Sequence, residues 1–332
     1  MSATGRLKQH QSTLQAKTMT TFEGIWVPLV TPFRQGKLDL YSAQQLALRL
    51  SGAGTHGLVV CGTTGEAATL NEHEQDKMLC AVMEAVQDRC PVVMGISGSD
   101  TRAVTEKVTR LNALRPDGFL ISAPSYVRPS QEGIRLHFEA IAAAAESPLI
   151  LYNILSRTGV NIDVSTVIAL QRCTNIVAIK ECGGNLAQTA ELINRTGLHV
   201  LCGDDAMLFS TLCLGGHGAI SAAAHIRPDL FVHLHGLVRD GQVAPARALF
   251  NQMLPLIQVL FSEPNPAPLK AALAMQGLLQ DELRLPMTPM SATGLVKLGK
   301  ALEKMMAIPA AEKNGKPEPH KASESRRLGL VR

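Results

Sequence analysis

The chain has 332 residues, of which 46% are hydrophobic and 18% are charged, and its formal net charge is +4. This composition is typical of a globular protein, and without a run of 18 or more apolar residues it argues against a membrane protein. The basic residues concentrate at the two ends of the chain and do not interleave with aromatic residues, which argues against a nucleic-acid-binding protein.

Both ends of the chain have the composition of unfolded segments. Residues 1–20 are rich in Ser, Thr, Gln and Lys, contain no acidic residue and lack the apolar core of a signal peptide. We expect a disordered extension there, with an organelle transit segment as the alternative. Residues 309–332, rich in Lys, Glu, Pro and Ser, predict a disordered tail.

Between these ends one unit recurs: a short apolar run, a loop with Gly, Thr, Asn or Pro, and a stretch with helical periodicity. The predicted strands are Gly24–Val30, Gly57–Cys61, Pro91–Gly95, Gly118–Ser122, Pro148–Tyr152, Ile176–Lys180, Leu198–Cys202 and His217–Ser221. The predicted helices after the first seven strands span residues 42–51, 71–87, 100–114, 131–145, 163–171, 186–195 and 205–214. Asn71 and Asp163 are expected to cap two of them.

Eight such units predict an α/β fold, a (β/α)₈ TIM barrel, over residues 21–225. An open doubly wound sheet is the weaker alternative, because the first turns carry no G-x-G-x-x-G. Further helical periodicity follows at residues 228–238, 244–261, 267–275 and 291–307. It exceeds what the eighth unit needs, so residues 226–308 are predicted to hold the last barrel helix and a C-terminal helical appendage.

The seven cysteines are odd in number and lack C-x-x-C spacing, which predicts free thiols and a reducing, cytoplasmic compartment. Neither they nor the ten histidines show metal-ligand spacing, and no metal is expected. Cys182, two residues after Lys180, is expected to be a small core residue, with a reactive thiol as the less favoured alternative.

Polar residues at the predicted strand ends point to one chemistry, because those ends form the active-site face of such a barrel. Lys180 ends the sixth strand, where a solvated lysine is the alternative, and Tyr152 ends the neighbouring fifth strand. Thr63 and Thr64 follow the second strand between two glycines, where hydroxyls and backbone amides can hold a carboxylate. Tyr126 lies in the loop after the fourth strand.

A buried lysine is expected to have a lowered pKa and to attack a ketone, forming a Schiff base that acts as an electron sink. Such a reaction needs a proton shuttle, which the hydroxyls of Tyr152 and Thr63 can supply without a metal or another cofactor. It also needs a cradle for the carboxylate of an α-keto acid.

Five motifs in order carry a family resemblance: GTTGE at 62–66, YNILSRTG at 152–159, IKE at 179–181, GDD at 203–205 and GGHG at 215–218. Between about Phe22 and Ala307 the chain resembles the dihydrodipicolinate synthase / N-acetylneuraminate lyase family. The resemblance implies a class I pyruvate aldolase, usually a cytoplasmic homotetramer built as a dimer of dimers.

The resemblance also implies roles for individual residues. Lys180 is then the Schiff-base lysine, Tyr152 the general acid/base and Thr63 the proton relay. Thr64 is then expected to bind the pyruvate carboxylate. The pyruvate pocket is then lined by Gly203 and Ile220. Tyr126 matches a tyrosine that crosses the tight dimer interface into the partner's site.

Arg157 matches the arginine with which one branch of the family holds the carboxylate of L-aspartate 4-semialdehyde. The resemblance therefore favours condensation of pyruvate with that aldehyde to 4-hydroxy-tetrahydrodipicolinate in lysine biosynthesis. Leu155 in place of a proline, and Ser125 and Val127 beside Tyr126, depart from the branch. They leave open another aldehyde or keto acid, such as 4-hydroxy-2-oxoglutarate, a sugar keto acid or a sialic acid.

A non-catalytic barrel that binds a keto acid or a protein is a further alternative, which the intact set of lysine, tyrosines and threonine disfavours. In feedback-regulated family members, a set of residues at the dimer interface binds the inhibitor lysine. The residues of this chain at the corresponding positions match that set poorly. They are Ala67, Glu72, Gln75, Ser99, Ala103 and Ser125. Our hypothesis from these residues is that lysine does not inhibit the protein.

Overall fold

The computed structural model describes residues 21–310. The predicted extension at 1–20 and almost all of the predicted tail at 309–332 lie outside this part. Eight parallel strands close into a barrel in which each strand pairs with its neighbours in chain order, so the open-sheet alternative is wrong. They are β1 Gly24–Pro28, β2 Gly57–Val60, β3 Val92–Ile96, β4 Gly118–Ser122, β5 Leu149–Asn153, β6 Ile176–Glu181, β7 His199–Cys202 and β8 Gly218–Ile220.

Helices alternate with these strands and continue beyond the last one. They are α1 Leu40–Gly52, α2 Glu72–Val86, α3 Thr101–Asn112, α4 Gln131–Ala144, α5 Val164–Leu170, α6 Leu186–Arg195, α7 Leu208–Cys213, α8 Pro228–Arg239, α9 Val243–Leu260, α10 Ala267–Met275 and α11 Ala292–Met306. The predicted (β/α)₈ barrel with a C-terminal helical appendage is confirmed. In the described residues, no helix is long and apolar enough to cross a bilayer.

The strands are buried on both faces, as their continuous apolar sequences require. Inside the barrel, side chains such as Trp26, Leu120 and Ile220 form a compact cluster that includes Tyr152. A larger apolar layer lies between the strands and the surrounding helices. Because the interior is filled by side chains, polar chemistry is confined to the barrel's carboxyl end.

Local signals explain most of the element bounds. Asn71 and Glu74 form the predicted capping box at the start of α2. Asp163 precedes α5, but its side chain makes no cap and instead accepts a hydrogen bond from Asn161 Nδ2 at 2.9 Å, so the predicted cap is wrong. The helix predicted at 205–214 is split, because a 3₁₀ turn occupies Asp205–Met207 before α7.

Besides short 3₁₀ turns, two small elements were not anticipated from the sequence. One is a two-stranded hairpin that pairs Phe33–Arg34 with Lys37–Leu38. The other is a single helical turn at Leu155–Thr158, directly after β5. Both lie in connections between barrel elements, where short hydrogen-bonded turns leave little periodicity in the sequence.

Candidate active site

A cavity of about 300 Å³ opens at the carboxyl end of the barrel. Its wall includes Thr63 after β2, Tyr152 in β5 and Arg157 in the turn after β5. Asn265 and Pro286 of the C-terminal region close the same cavity from the other side. The cavity therefore joins residues from the strand ends to residues of the helical appendage.

Lys180 and Tyr152 are brought together by the pairing of β5 with β6, in which they are register partners. Lys180 Nζ lies 4.3 Å from the centroid of the Tyr152 ring. Both side chains are buried, with exposed fractions of 6% and 7%. The Lys180 amine and the Thr63 hydroxyl both lower the pKa of the Tyr152 phenol, against the larger effect of burial. The phenol is therefore adjacent to both of the other proton-carrying groups.

The pKa of Lys180 differs from the sequence prediction. Burial lowers the pKa of the amine, but the neighbouring Tyr152, Cys182 and Asp205 oppose it, and the net direction is upward. The predicted lowered pKa is therefore wrong, because the polar and ionisable side chains around the amine outweigh its desolvation. Burial also raises the pKa of the Tyr152 phenol. Near neutral pH the pair consists of an ammonium and a neutral phenol, so the amine must lose a proton before it can attack a carbonyl.

Cys182 is packed against this pair and is chemically quiet. Burial raises the pKa of its thiol to about 12, so the nucleophilic thiolate is not populated near neutral pH. This raised pKa fits the expected small core residue better than it fits a reactive thiol.

Gly203 is required at its position by the close approach of Lys180. A Cβ atom built on Gly203 would lie 2.1 Å from Cys182 Sγ and 2.6 Å from Lys180 Cε. Any other residue there would displace the lysine side chain from its place beside Tyr152. Ile220 in β8 belongs to the apolar cluster that supports Tyr152 from inside the barrel.

The turn after β2 holds its threonines in a strained backbone. Cys61 and Glu66, on either side of the turn, have φ values of 54° and 51° in the left-handed region. Thr31 Oγ1 donates to the carbonyl oxygen of Gly65 at 2.6 Å. Thr64 is buried, and its hydroxyl accepts a hydrogen bond from Asn265 Nδ2 at 3.0 Å.

Arg157 lies in the helical turn Leu155–Thr158, which ends at Gly159 with a φ of 75°. The Thr158 hydroxyl lies 3.0 and 2.9 Å from the carbonyl oxygens of Ile154 and Val160, and these two acceptors share its one proton. These bonds fix the turn without the proline that Leu155 replaces. The Arg157 side chain is exposed toward the cavity mouth, and its charge lowers the pKa of Tyr152 against the larger effect of burial.

Tyr126 is the one predicted catalytic residue that the single chain does not bring to Lys180. Its side chain is 95% exposed, and its φ of 69° lies in the left-handed region. Val127 beside it is 58% exposed. A tyrosine held outward in this way suits a contact with another chain, and its predicted crossing of an interface stays a prediction.

Two groups of polar contacts near the site were not predicted from the sequence. Asn153, which ends β5, donates from Nδ2 to both carboxylate oxygens of Glu181 at 3.1 and 3.0 Å, and so ties the ends of β5 and β6 together. Glu66 forms a buried ion pair with Lys270 of α10, with Oε1 and Nζ 2.5 Å apart. Burial lowers the pKa of Lys270 against the opposing effect of Glu66. The sequence gives no local signal for a pair so distant along the chain.

The positions matched to the family's lysine site are occupied by internal hydrogen bonds. Gln75 donates to the carbonyl oxygens of Ala67 and Leu70 at 3.0 and 3.1 Å. Its Oε1 accepts from Lys107 Nζ at 2.6 Å. Ser99 Oγ donates to the carbonyl oxygen of Ser125 at 2.6 Å. These polar groups are already partnered within the chain.

Comparisons with known proteins agree on one family. Residues 21–305 match the Dihydrodipicolinate synthetase family (DHDPS). A 4-hydroxy-tetrahydrodipicolinate synthase from Syntrophobacter fumaroxidans is 41% identical over 285 residues, covering 85% of this chain and 98% of the relative.

Solved structures give the same result. DHDPS from Cyanidioschyzon merolae with lysine bound has a TM-score of 0.84 at 36% identity, covering 86% of this chain and 98% of that one. A monomeric dihydrodipicolinate synthase variant has a TM-score of 0.84 at 33% identity, covering 86% and 97% of the two chains.

Proposed function

Because the chain belongs to the dihydrodipicolinate synthetase family, we propose that it is a 4-hydroxy-tetrahydrodipicolinate synthase, a lyase that condenses pyruvate with L-aspartate 4-semialdehyde. The observation that carries this proposal is the buried Lys180 amine 4.3 Å from the ring of Tyr152, which lines the same cavity as Arg157. An amine, a proton relay and a guanidinium at one barrel mouth match the needs of the two substrates.

The first half of the reaction uses Lys180 and its relay. Tyr152 takes a proton from the ammonium as it passes its own toward Thr63, and the free amine attacks the keto carbon of pyruvate. The carbinolamine loses water to give an iminium. Transfer of a methyl proton to the relay of Tyr152 and Thr63 then gives an enamine, with the iminium nitrogen accepting the electron pair. No cofactor beyond this covalent Schiff base is needed.

The second half uses the cavity mouth. The enamine carbon attacks the aldehyde carbon of the semialdehyde, and the new alkoxide takes a proton from the relay. The amino group of the semialdehyde then displaces Lys180 from the iminium carbon, which closes the ring and frees the enzyme. Arg157 is proposed to hold the semialdehyde's carboxylate through two parallel hydrogen bonds during these steps.

The experiment that tests this function is a steady-state assay with pyruvate and L-aspartate 4-semialdehyde, run beside 4-hydroxy-2-oxoglutarate and sialic acid in the lyase direction. We expect the highest kcat/KM with the semialdehyde. Arg157→Ala should raise the KM for the semialdehyde by about tenfold or more, since charge-assisted hydrogen bonds are worth about 1.5–3 kcal/mol. Arg247→Ala, at an exposed arginine of α9, is the matched control. Faster turnover of another substrate would overturn the assignment of the aldehyde.

We further propose a cytoplasmic homotetramer, a dimer of dimers, in which Tyr126 completes the relay of a partner subunit. The 95% exposed Tyr126 and the seven free cysteines support this. Mixed oligomers of Tyr126→Phe and Lys180→Ala chains should regain activity, because some sites then contain both intact residues. A monomer with full activity would contradict the shared site.

A further inference from the structure

The C-terminal helical region reaches the turn that holds Thr63 and Thr64 at two points. Asn265, two residues before α10, donates from Nδ2 to Thr64 Oγ1 at 3.0 Å. Lys270, within α10, forms the buried ion pair with Glu66 at the end of the same turn. One short segment therefore fixes both a hydroxyl and the backbone that carries it.

The Asn265 segment is itself held rigidly. Lys270 Nζ also donates to the carbonyl oxygen of Glu282 at 2.7 Å and lies 4.3 Å from the centroid of the Phe33 ring. The backbone amide of Lys270 donates to the carbonyl oxygen of Pro266, the residue after Asn265, at 2.9 Å. With Lys270 0% exposed, the start of α10 has little freedom to move relative to the turn.

The hydrogen bond from Asn265 determines what the Thr64 hydroxyl can still do. A threonine hydroxyl has one proton to donate and two lone pairs that accept. Asn265 occupies a lone pair, and within residues 21–310 the Thr64 hydroxyl has no other hydrogen-bond partner. Its own proton therefore stays available for a ligand. A carboxylate offers only acceptors, so it needs such a donor.

We propose that Asn265 is a positioning residue that keeps the Thr64 hydroxyl as a hydrogen-bond donor to the pyruvate carboxylate. The inference rests on the proposed function, in which Thr64 binds that carboxylate. Asn265 acts on pyruvate through Thr64, and it lines the cavity next to the turn without forming part of the proton relay.

The decisive variant is Asn265→Asp. An aspartate keeps the size of the side chain but can only accept from Thr64, so it draws the hydroxyl proton away from a ligand. We expect the KM for pyruvate to rise by about tenfold or more, because a lost hydrogen bond to a charged group has that size. The KM for the aldehyde and the kcat at saturating pyruvate should change by less than about twofold.

Three further variants separate this role from charge and from folding. Asn251→Asp makes the same change at an exposed position of α9 and should behave as the wild type. Thr64→Val removes the hydroxyl, and in that background Asn265→Asp should have little further effect on the pyruvate KM. Asn265→Ala removes the hydrogen bond to the Thr64 hydroxyl without reversing its direction. It should raise the pyruvate KM by about threefold. If Asn265→Asp does not fold, the Asn265→Ala and Thr64→Val pair gives the same test.

The outcomes are distinct. The proposal is supported if Asn265→Asp raises the pyruvate KM of the wild-type enzyme but does not raise that of the Thr64→Val enzyme any further. If Asn265→Asp raises the pyruvate KM by the same factor in both enzymes, its effect is simple charge repulsion and the proposal is overturned. An Asn265→Asp enzyme with the wild-type pyruvate KM would also overturn it. A wild-type protein that forms no adduct with pyruvate would instead refute the proposed function itself.

Discussion

The buried ion pair between Lys270 and Glu66 makes a strong prediction about stability. The two atoms are 2.5 Å apart and the side chains are 0% and 1% exposed, so water cannot replace a lost partner. Lys270→Met keeps most of the length of the side chain but leaves the Glu66 carboxylate buried without its cation. Breaking a buried pair in this way costs about 3–5 kcal/mol. At about 2–4 °C per kcal/mol for a large domain, the melting temperature should fall by about 10 °C.

The assay is a thermal melt followed by circular dichroism, beside two companions. Lys300→Met, at an exposed lysine of α11, should melt within about 2 °C of the wild type, as surface substitutions usually do. Lys270→Met combined with Glu66→Gln removes both charges and should recover most of the loss, because an uncharged replacement of a buried pair is often nearly neutral. A stabilising role of the ion pair is refuted if Lys270→Met melts at the same temperature as the wild type, or if the double variant is no more stable than the single one.

Three further predictions address the relay, acid stability and regulation. Tyr152→Phe should lower kcat by about 10²-fold to 10⁴-fold in the condensation assay, because it removes the phenol proton that the proposed relay transfers; a loss below about threefold would contradict the relay. His225 is fully buried, and burial lowers the pKa of its ring to about 4. In this neutral ring, Nδ1 donates to the carbonyl oxygen of Ala222 at 2.8 Å and Nε2 accepts from the backbone amide of Val30 at 3.3 Å. Its folded pKa lies below the unfolded value near 6.5, so the unfolded chain binds the proton first, and stability should fall by about 3 kcal/mol as pH drops from about 6.5 to 4. Urea titrations of His225→Gln should lack this loss while the exposed His73→Gln keeps it; parallel curves for all three proteins would contradict the assignment. Millimolar L-lysine should leave the steady-state rate unchanged, and inhibition would refute the hypothesis that the internally bonded interface positions cannot hold it.

The barrel could be predicted because its signals are local. Each strand is a short apolar run and each helix has its own periodicity, so the order of the elements follows from reading the chain in short windows. The placement of Lys180 beside Tyr152 followed in turn, since each lies one residue before the carboxyl end of its strand and the closed barrel sets the register of the two strands.

The features of the site that could not be predicted from the sequence depend on contacts between residues far apart in the chain. The bond between Asn265 and Thr64 joins residues 201 positions apart, and no pattern near either one announces it. The predicted direction of the Lys180 pKa shift was wrong for a related reason. Burial alone lowers the pKa of a lysine, and only the structure shows that Tyr152, Cys182 and Asp205 together outweigh it.

The most direct test of the account is whether Lys180 forms a Schiff base with pyruvate. The wild-type protein is incubated with pyruvate, reduced with borohydride and analysed by intact mass and peptide mapping, with Lys180→Ala as the control. We predict one reduced pyruvyl adduct per chain, located on the peptide that contains Lys180 and absent from the variant. An unmodified wild-type chain, or an adduct on a different lysine, would contradict the catalytic role on which the account depends.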